Sequence, residues 1–164
     1  MKLVISVFLV ICCFFSVSGQ VTRLEEYNQS LMAWTNLSAD SYTYVVPFRS
    51  WSGYRDETTI TVLNGMIVRR EFQSFRLDNG AEVGLDHWVE EGTQLGSHDQ
   101  GAPRRTMEDN YTYCRNQVLI QDPVENSIYF EVDERGILKQ CAYFPNNCAD
   151  DCLMGITIDS LIIN

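Results

Sequence analysis

The fold is decided by the stretch Thr-Thr-Ile-Thr-Val-Leu-Asn-Gly-Met-Ile-Val-Arg-Arg-Glu-Phe, residues 58–72. Asn64-Gly65 separates two runs rich in β-branched residues, and this dipeptide is a strong signal for a tight β-hairpin. Since side chains alternate between the two faces of a strand, Ile60 and Val62 should share one face. The returning strand should supply the same core with Met66, Val68 and Phe72, or their neighbours.

The segment before this hairpin predicts a helix and then a strand. The apolar residues that recur there with helical spacing are Leu24, Tyr27, Leu31 and Trp34. Thr22 and Glu25 form a capping box at the expected start of the helix. Residues 41–46 are dense in aromatic and β-branched side chains and are followed by Pro47, as expected of a strand and its end.

The segment 74–105 breaks the alternating pattern with frequent glycines and has only Trp88 and a few aliphatic side chains to anchor it. We therefore predict a long irregular loop over 74–105, and loops of this length often carry function.

The last third predicts a helix, a second hairpin, a cysteine-rich loop and a final strand. Thr106 and Asp109 form the cap of a helix whose apolar face holds Met107, Tyr111, Cys114 and Val118. Residues 127–132 and 137–143 flank a turn, and 155–162 read as the last strand. The order of elements predicts a single-domain α+β fold: an antiparallel sheet of about five to six strands packed with two helices and held by two disulfides.

The chain opens with Lys2 and an apolar run, residues 3–15, which leads into the small residues 16–19. This pattern is typical of a signal peptide, removed after Gly19 to leave a secreted domain of residues 20–164. The run is shorter than the roughly 20 apolar residues of a membrane span. We therefore expect an extracellular protein with no membrane association after cleavage.

Cleavage would remove two of the six cysteines and leave Cys114, Cys141, Cys148 and Cys152. Four cysteines in an exported domain indicate two disulfides, whereas a zinc site would need short paired knuckles that this spacing lacks. Three pairings are possible and the spacing does not choose among them. We favour Cys114 with Cys141, which would tie a helix to a strand, and Cys148 with Cys152, which would close a local loop.

The chain has a formal net charge of −10, which becomes −11 when Lys2 is removed. Such a surface repels nucleic acid and anionic lipid, and it favours cations, basic partners or mineral surfaces. The candidates for weak calcium binding are Glu131, Asp133, Asp150 and Asp151, because calcium prefers several oxygen ligands. The alternative is that these are solvated acidic turns. No other cofactor is expected.

Three asparagines, Asn28, Asn36 and Asn110, stand in sequons for N-glycosylation. His87 and His98 lie near acidic residues in the predicted loop and could act as metal ligands or as a general base. Their spacing matches no zinc or catalytic motif, so we interpret them as solvated side chains and assign no catalytic residue.

Three stretches resemble a group of small secreted proteins of marine invertebrates, some of them from the organic matrix of shells and skeletons. They are residues 55–60, residues 88–98 with 101–103, and the segment 148–152, Cys-Ala-Asp-Asp-Cys. The resemblance implies an extracellular, non-enzymatic role, and it transfers no catalytic residue. The chain lacks the poly-aspartate tracts usual in strongly mineral-binding matrix proteins.

The sequence therefore predicts a secreted acidic glycoprotein that is a structural or interaction component of an extracellular matrix, such as a calcified shell or skeletal matrix. The expected partners are matrix components or a mineral surface, and no oligomeric state is indicated. The first alternative is a soluble ligand-binding or inhibitor module acting through the 74–105 loop. The second is a hydrolase, which would require His87 or His98 to contact a buried carboxylate in a cleft.

Overall fold

In a computed structural model, the backbone is described for residues 8–164 and the side chains for residues 22–164. The expected signal peptide, residues 1–19, therefore lies outside the fully described part. The helices are α1 (Phe8–Leu37) and α2 (Met107–Tyr113). The strands are β1 (Tyr42–Arg49), β2 (Tyr54–Leu63), β3 (Met66–Asp78), β4 (Ala81–Glu91), β5 (Asn126–Val132), β6 (Leu138–Pro145), β7 (Met154–Thr157) and β8 (Ser160–Ile163).

The larger sheet has the antiparallel order β4-β3-β2-β1-β8. Its β2–β3 hairpin turns at Asn64 and Gly65, whose φ angles of 50° and 73° are those of the tight turn predicted from the sequence. Ile60 and Val62 are both buried, as expected. The returning strand differs, because a bulge beside Val62 shifts the register and leaves Met66 exposed.

Residues 74–91 are mostly strand, so the predicted irregular loop over 74–105 is wrong in its first half. β3 extends to Asp78 and returns through a turn at Asn79 and Gly80 as β4. Exposed side chains dominate the first seven residues of β4, and glycine and charge there masked the strand pattern. The irregular segment begins at Gly92, with one 3-10 turn over Gly92–Gln94.

A second, three-stranded sheet has the order β5-β6-β7, so the strands form two antiparallel sheets rather than one. The predicted second hairpin is confirmed as β5 and β6. The predicted last strand is two strands in different sheets. Ile158 N–H donates to Lys139 beside β7, whereas Asp159 N–H donates to Val45 on β1. Consecutive residues thus bond to different sheets, which is how a strand switches from one sheet to another.

The two helices pack against both sheets around one core. The predicted capping box of α2 is present, with Asp109 N–H donating to Thr106 and Asp109 accepting from Thr106 N–H. After Tyr113 the helix widens into a π-helical turn, Cys114–Val118. By contrast, Thr22 is not a cap, because α1 already begins at Phe8. No helix in the described part of the chain is both long and apolar enough to cross a membrane.

Both expected disulfides are present. Cys114–Cys141 joins the π-helical turn to β6, and both residues are fully buried. Cys148–Cys152 closes the short loop between β6 and β7.

Tyrosines form much of the core and carry its polar contacts. Tyr111 hydroxyl accepts from Leu138 N–H at 2.9 Å and lies 3.1 Å from the Ser30 carbonyl to which it donates. Tyr42 hydroxyl accepts from Met107 N–H at 2.8 Å, and burial raises its pKa to about 12. These hydroxyls satisfy backbone groups where helix, sheet and loop meet, so they fix the helices relative to the sheets.

Candidate functional site

The inner face of the larger sheet, which faces the helices and the small sheet, presents three rows of side chains. The register aligns Tyr44, Ile60, Arg70 and Glu90 in the first row; Val46, Thr58, Phe72 and Trp88 in the second; and Phe48, Asp56, Ser74 and Asp86 in the third. Asn110 of α2 contacts Tyr44 in the first row. The irregular segment after β4 contacts Arg70 and Glu90 in the first row and Thr58 in the second.

Glu90 holds that segment from the sheet side. Its side chain is fully buried and accepts hydrogen bonds from Gly96 N–H at 2.7 Å and from His98 N–H at 2.6 Å. Arg70 Nη1 donates to the same carboxylate at 3.1 Å. Burial alone would raise the pKa of Glu90, but these donors, the His98 ring and the Arg70 charge outweigh burial and lower the pKa to about 2.

Arg70 is buried beside Glu90 and extends the hold along the segment. Its guanidinium donates to the carbonyl of His98 at 3.1 Å and also to the carbonyl of Gln100. Beyond it, Ala102 N–H donates to Thr58 Oγ1 at 2.8 Å. We call Arg70, Glu90 and the backbone of residues 96–100 that they hold the Arg70–Glu90 clamp.

Aromatic stacking completes the clamp. The Trp88 ring stacks on Phe72 at 5.1 Å and on the His98 imidazole at 4.3 Å between centroids, with an angle of 3° to the latter. Arg70 lies over the Trp88 ring at 4.7 Å. Stacked rings and a cation over an indole are both stabilising contacts, so the clamp is a packed unit rather than a mobile loop.

Gly101 shows how closely the segment approaches the sheet. Its φ is +79°, and a Cβ at this position would lie 2.6 Å from Thr58 Oγ1 and 2.8 Å from the Phe72 ring. Only glycine fits here.

A groove of about 730 Å³ lies between β1 and β7, and we call it the β1–β7 groove. Residues 101–103 and Arg105 form one wall, directly after the clamp. The apolar residues along the groove include Val46, Phe48, Ala142, Phe144, Leu153 and Ile156. A concave, mainly apolar surface with a few polar groups is the usual form of a ligand site.

Charged groups of both signs line the groove, with acids in excess: Asp56, Asp151 and Asp159 against Arg49 and Arg105. Arg105 is engaged by the Tyr113 ring, 3.8 Å from its guanidinium carbon. Among the described residues neither Asp56 nor Asp159 has an ion-pair partner. Burial raises the pKa of Asp56, which is the response of a half-buried carboxylate without a cation beside it.

The calcium candidates are not brought together into one site. Asp133 already accepts from Ile137 N–H and from the Arg135 side chain in the β5–β6 turn, and Asp151 accepts from Ser50. Glu131 is exposed on β5. Among the residues with described side chains, no three His, Cys, Asp or Glu could jointly hold a metal ion.

The histidines have different surroundings. His87 pairs with Glu71 at 2.9 Å on the outer face of the larger sheet. His98 Nδ1 lies 3.0 Å from buried Glu90, but Ser97 Oγ approaches the same ring nitrogen at 3.2 Å. A hydroxyl nucleophile would need the opposite nitrogen. His98 also lies outside the groove lining, so this arrangement holds the segment and does not form a catalytic relay.

The three sequon asparagines differ in their exposure to solvent. Asn28 and Asn36 are exposed on α1. Asn110 is fully buried and donates to Tyr44 hydroxyl at 3.2 Å, so this sequon does not face solvent in the folded chain.

The clamp was not among the sites predicted from the sequence, because Arg70 and Glu90 are charged residues in core positions. Arg69, the neighbour of Arg70, points to the other face of β3 and pairs there with Glu71 on the same strand and with Glu91 on β4. The available signal was the alternation of β3 itself, since Arg70, Phe72 and Ser74 share one face.

Comparison of the chain with protein-family models, with curated proteins and with solved structures gave no match.

Proposed function

We propose that this chain is a secreted, non-enzymatic domain that binds an extracellular partner in the β1–β7 groove. The observation that carries the proposal is a preformed groove whose wall, residues 101–105, is fixed by buried contacts. Preorganisation of this kind reduces the entropy lost on binding. A matrix component is one such partner, as the resemblance to shell and skeletal proteins implies.

A test of groove binding is a fragment screen followed by ¹H–¹⁵N NMR of the full domain. The expected result is that the fragments that bind shift amides of β1, β7 and residues 101–105. Leu153→Arg places a charge in the groove and should abolish these shifts. Leu85→Arg is the matched control, because Leu85 lies on β4 outside the groove and both leucines are 49% exposed. Fragments that bind elsewhere, or equally well to both variants, would overturn the proposal.

Secretion is tested separately by expression of the full chain in a eukaryotic secretory host. We expect the protein in the medium, with Gln20 as its first residue. Retention inside the cell with Met1 or Lys2 still present would contradict this part of the proposal.

A further inference from the structure

The β1–β7 groove lies where the chain passes from β7, in the smaller sheet, to β8, in the larger sheet. β8 pairs with β1 only from Tyr42 to Val45, and Asp159, which lies between β7 and β8, donates its N–H to the Val45 carbonyl. From Val46 to Arg49, β1 is paired with β2 on one edge, and no described strand pairs with its other edge. The groove therefore begins at a free strand edge.

The polar backbone groups on this edge follow from the alternation of an antiparallel ladder, in which successive residues point to opposite edges. Asp159 N–H donates to the Val45 carbonyl, so Val45 points toward β8, and Pro47 and Arg49 point the same way. Ser50 N–H donates to Tyr54, which agrees with this assignment. The edge therefore offers the carbonyls of Pro47 and Arg49 and the N–H of Arg49.

The opposite side of the groove is also a strand edge. Ile158 N–H donates to Lys139, so alternate residues of β7 point toward β6, and Gly155 and Thr157 point away from it. Both Gly155 and Thr157 line the groove. Two unpaired edges thus flank one apolar floor, and main-chain bonds to an exposed edge are a recurring mode of peptide recognition.

The charge of the groove selects the occupant. Three acids and two bases line the groove, Asp56 and Asp159 have no ion-pair partner among the described residues, and the whole chain carries a net charge of −10. Asp56 lies on the inner face opposite Phe48 on β1, so a carboxylate stands beside an exposed aromatic ring. Val46, Phe48 and Asp56 all lie on the inner face of the larger sheet, so the inward-facing side chains of an added strand would meet both the apolar floor and the Asp56 carboxylate.

We infer, on the basis of the binding function proposed above, that the occupant is an extended segment of a partner protein, with apolar and basic residues together on its inward-facing side, which adds to the free edge of β1 as an extra strand. The added strand would lie along the same edge of β1 as β8, beyond the terminal Val45–Ser160 pair. The free edge spans four residues, about 13 Å of strand.

The test uses a blocked synthetic hexapeptide, acetyl-Val-Thr-Lys-Thr-Val-Thr-amide, whose valines and lysine share one face of a strand, titrated into the full domain and followed by ¹H–¹⁵N NMR. We expect saturable shifts at Arg49, Gly155 and Thr157. The same peptide with glutamate in place of lysine should bind about tenfold more weakly or worse. N-methylation of the peptide amides that face β1 should weaken binding about threefold to tenfold, and methylation of the alternate amides should weaken it less.

The matched variants are Asp56→Asn and Asp86→Asn. The two aspartates occupy the same row of the sheet, but only Asp56 lines the groove. We expect Asp56→Asn to weaken the lysine peptide and Asp86→Asn to leave its affinity unchanged.

The outcomes separate this inference from the proposed function. If fragments occupy the groove but no version of the peptide does, the strand-addition inference is wrong and the binding function stands. Equal binding of the lysine and glutamate peptides, or indifference to N-methylation, would also overturn it. A concentration-dependent dimer abolished by Leu153→Arg would assign the edge to a second copy of the chain and would overturn the partner-segment inference as well.

Discussion

Replacement of Glu90 with glutamine removes one buried charge with almost no change in side-chain size. In the native chain the Glu90 carboxylate accepts from Gly96 N–H, His98 N–H and Arg70. Glutamine has only one oxygen to accept these bonds, and its amide nitrogen must then face a donor. Arg70, whose side chain is 4% exposed, is left without a compensating charge.

The expected loss follows from the cost of a broken buried ion pair. Removal of one partner of such a pair typically destabilises a protein by about 3–5 kcal/mol. For a domain of this size, each kcal/mol lowers the melting temperature by about 2–4 °C, so we expect a drop of about 6–20 °C.

The assay is equilibrium urea unfolding followed by tryptophan fluorescence, since Trp88 stacks directly on the clamp. Glu91→Gln is the control, because Glu91 is the next residue on β4 and pairs with Arg69 at 2.6 Å on the surface. Exposed pairs contribute about 0–1 kcal/mol. A loss in Glu90→Gln below 1 kcal/mol, or equal to that of the control, would refute the assignment of the clamp as a buried ion pair.

The pH dependence gives an independent arm of the same experiment. A carboxyl group whose folded pKa is lowered contributes stability that is present above its ordinary pKa and is lost as pH falls through the folded value. For Glu90 this window lies between pH 4.5 and about 2. The stability lost across the window is on the order of 3 kcal/mol. The stability difference between the native chain and Glu90→Gln should therefore be largest near neutral pH and shrink across this window. A constant difference would contradict it.

Three further predictions concern the scaffold. Loss of the Cys114–Cys141 disulfide, which spans 27 residues, should destabilise the domain by about 3.5 kcal/mol through loop entropy, whereas loss of Cys148–Cys152 should cost about 2 kcal/mol. Urea unfolding of the two paired alanine variants measures these losses, and equal losses would contradict the prediction. Gly155→Ala should destabilise by about 1–3 kcal/mol, because its Cβ would collide with the β6 backbone at Cys141 and Ala142, whereas Gly84→Ala, which meets nothing within 4 Å, should be near neutral. Peptide mapping of the secreted protein should find glycans at Asn28, Asn36 or both, and a glycan at Asn110 would contradict the buried position of that side chain.

Local signals predicted the elements that local chemistry determines. The Asn64-Gly65 turn, the Thr106–Asp109 cap and the buried face of the second helix were all readable because turns and caps depend on neighbouring residues. Three disulfide pairings stayed open from the sequence, and the favoured one, which ties a helix to a strand, is the one present.

Long-range partners were not readable. Glu90 and Arg70 face each other across β3 and β4, twenty residues apart in the sequence. A buried pair of opposite charges interrupts the apolar alternation in both strands, so β4 was predicted as part of an irregular loop, and the core position of Arg70 on the predicted strand β3 was not apparent. The sheet switch at Ile158 and Asp159 was hidden for a different reason. The segment is uniformly strand-like, and only the choice of partner divides it.

Residues 96–103 connect the clamp directly to the wall of the groove. This connection leads to a prediction about function. Residues 96–100 are held by the clamp, and residues 101–103 form the groove wall immediately afterwards. Glu90→Gln leaves one acceptor oxygen for two backbone donors, so it should raise hydrogen exchange at Gly96 N–H or His98 N–H, and also at Ala102 N–H, which bonds to Thr58. Under native conditions the variant should bind groove fragments more weakly than Glu91→Gln does. If Ala102 stays protected and fragment affinity is unchanged, Thr58 alone holds the wall, and the clamp serves stability rather than binding.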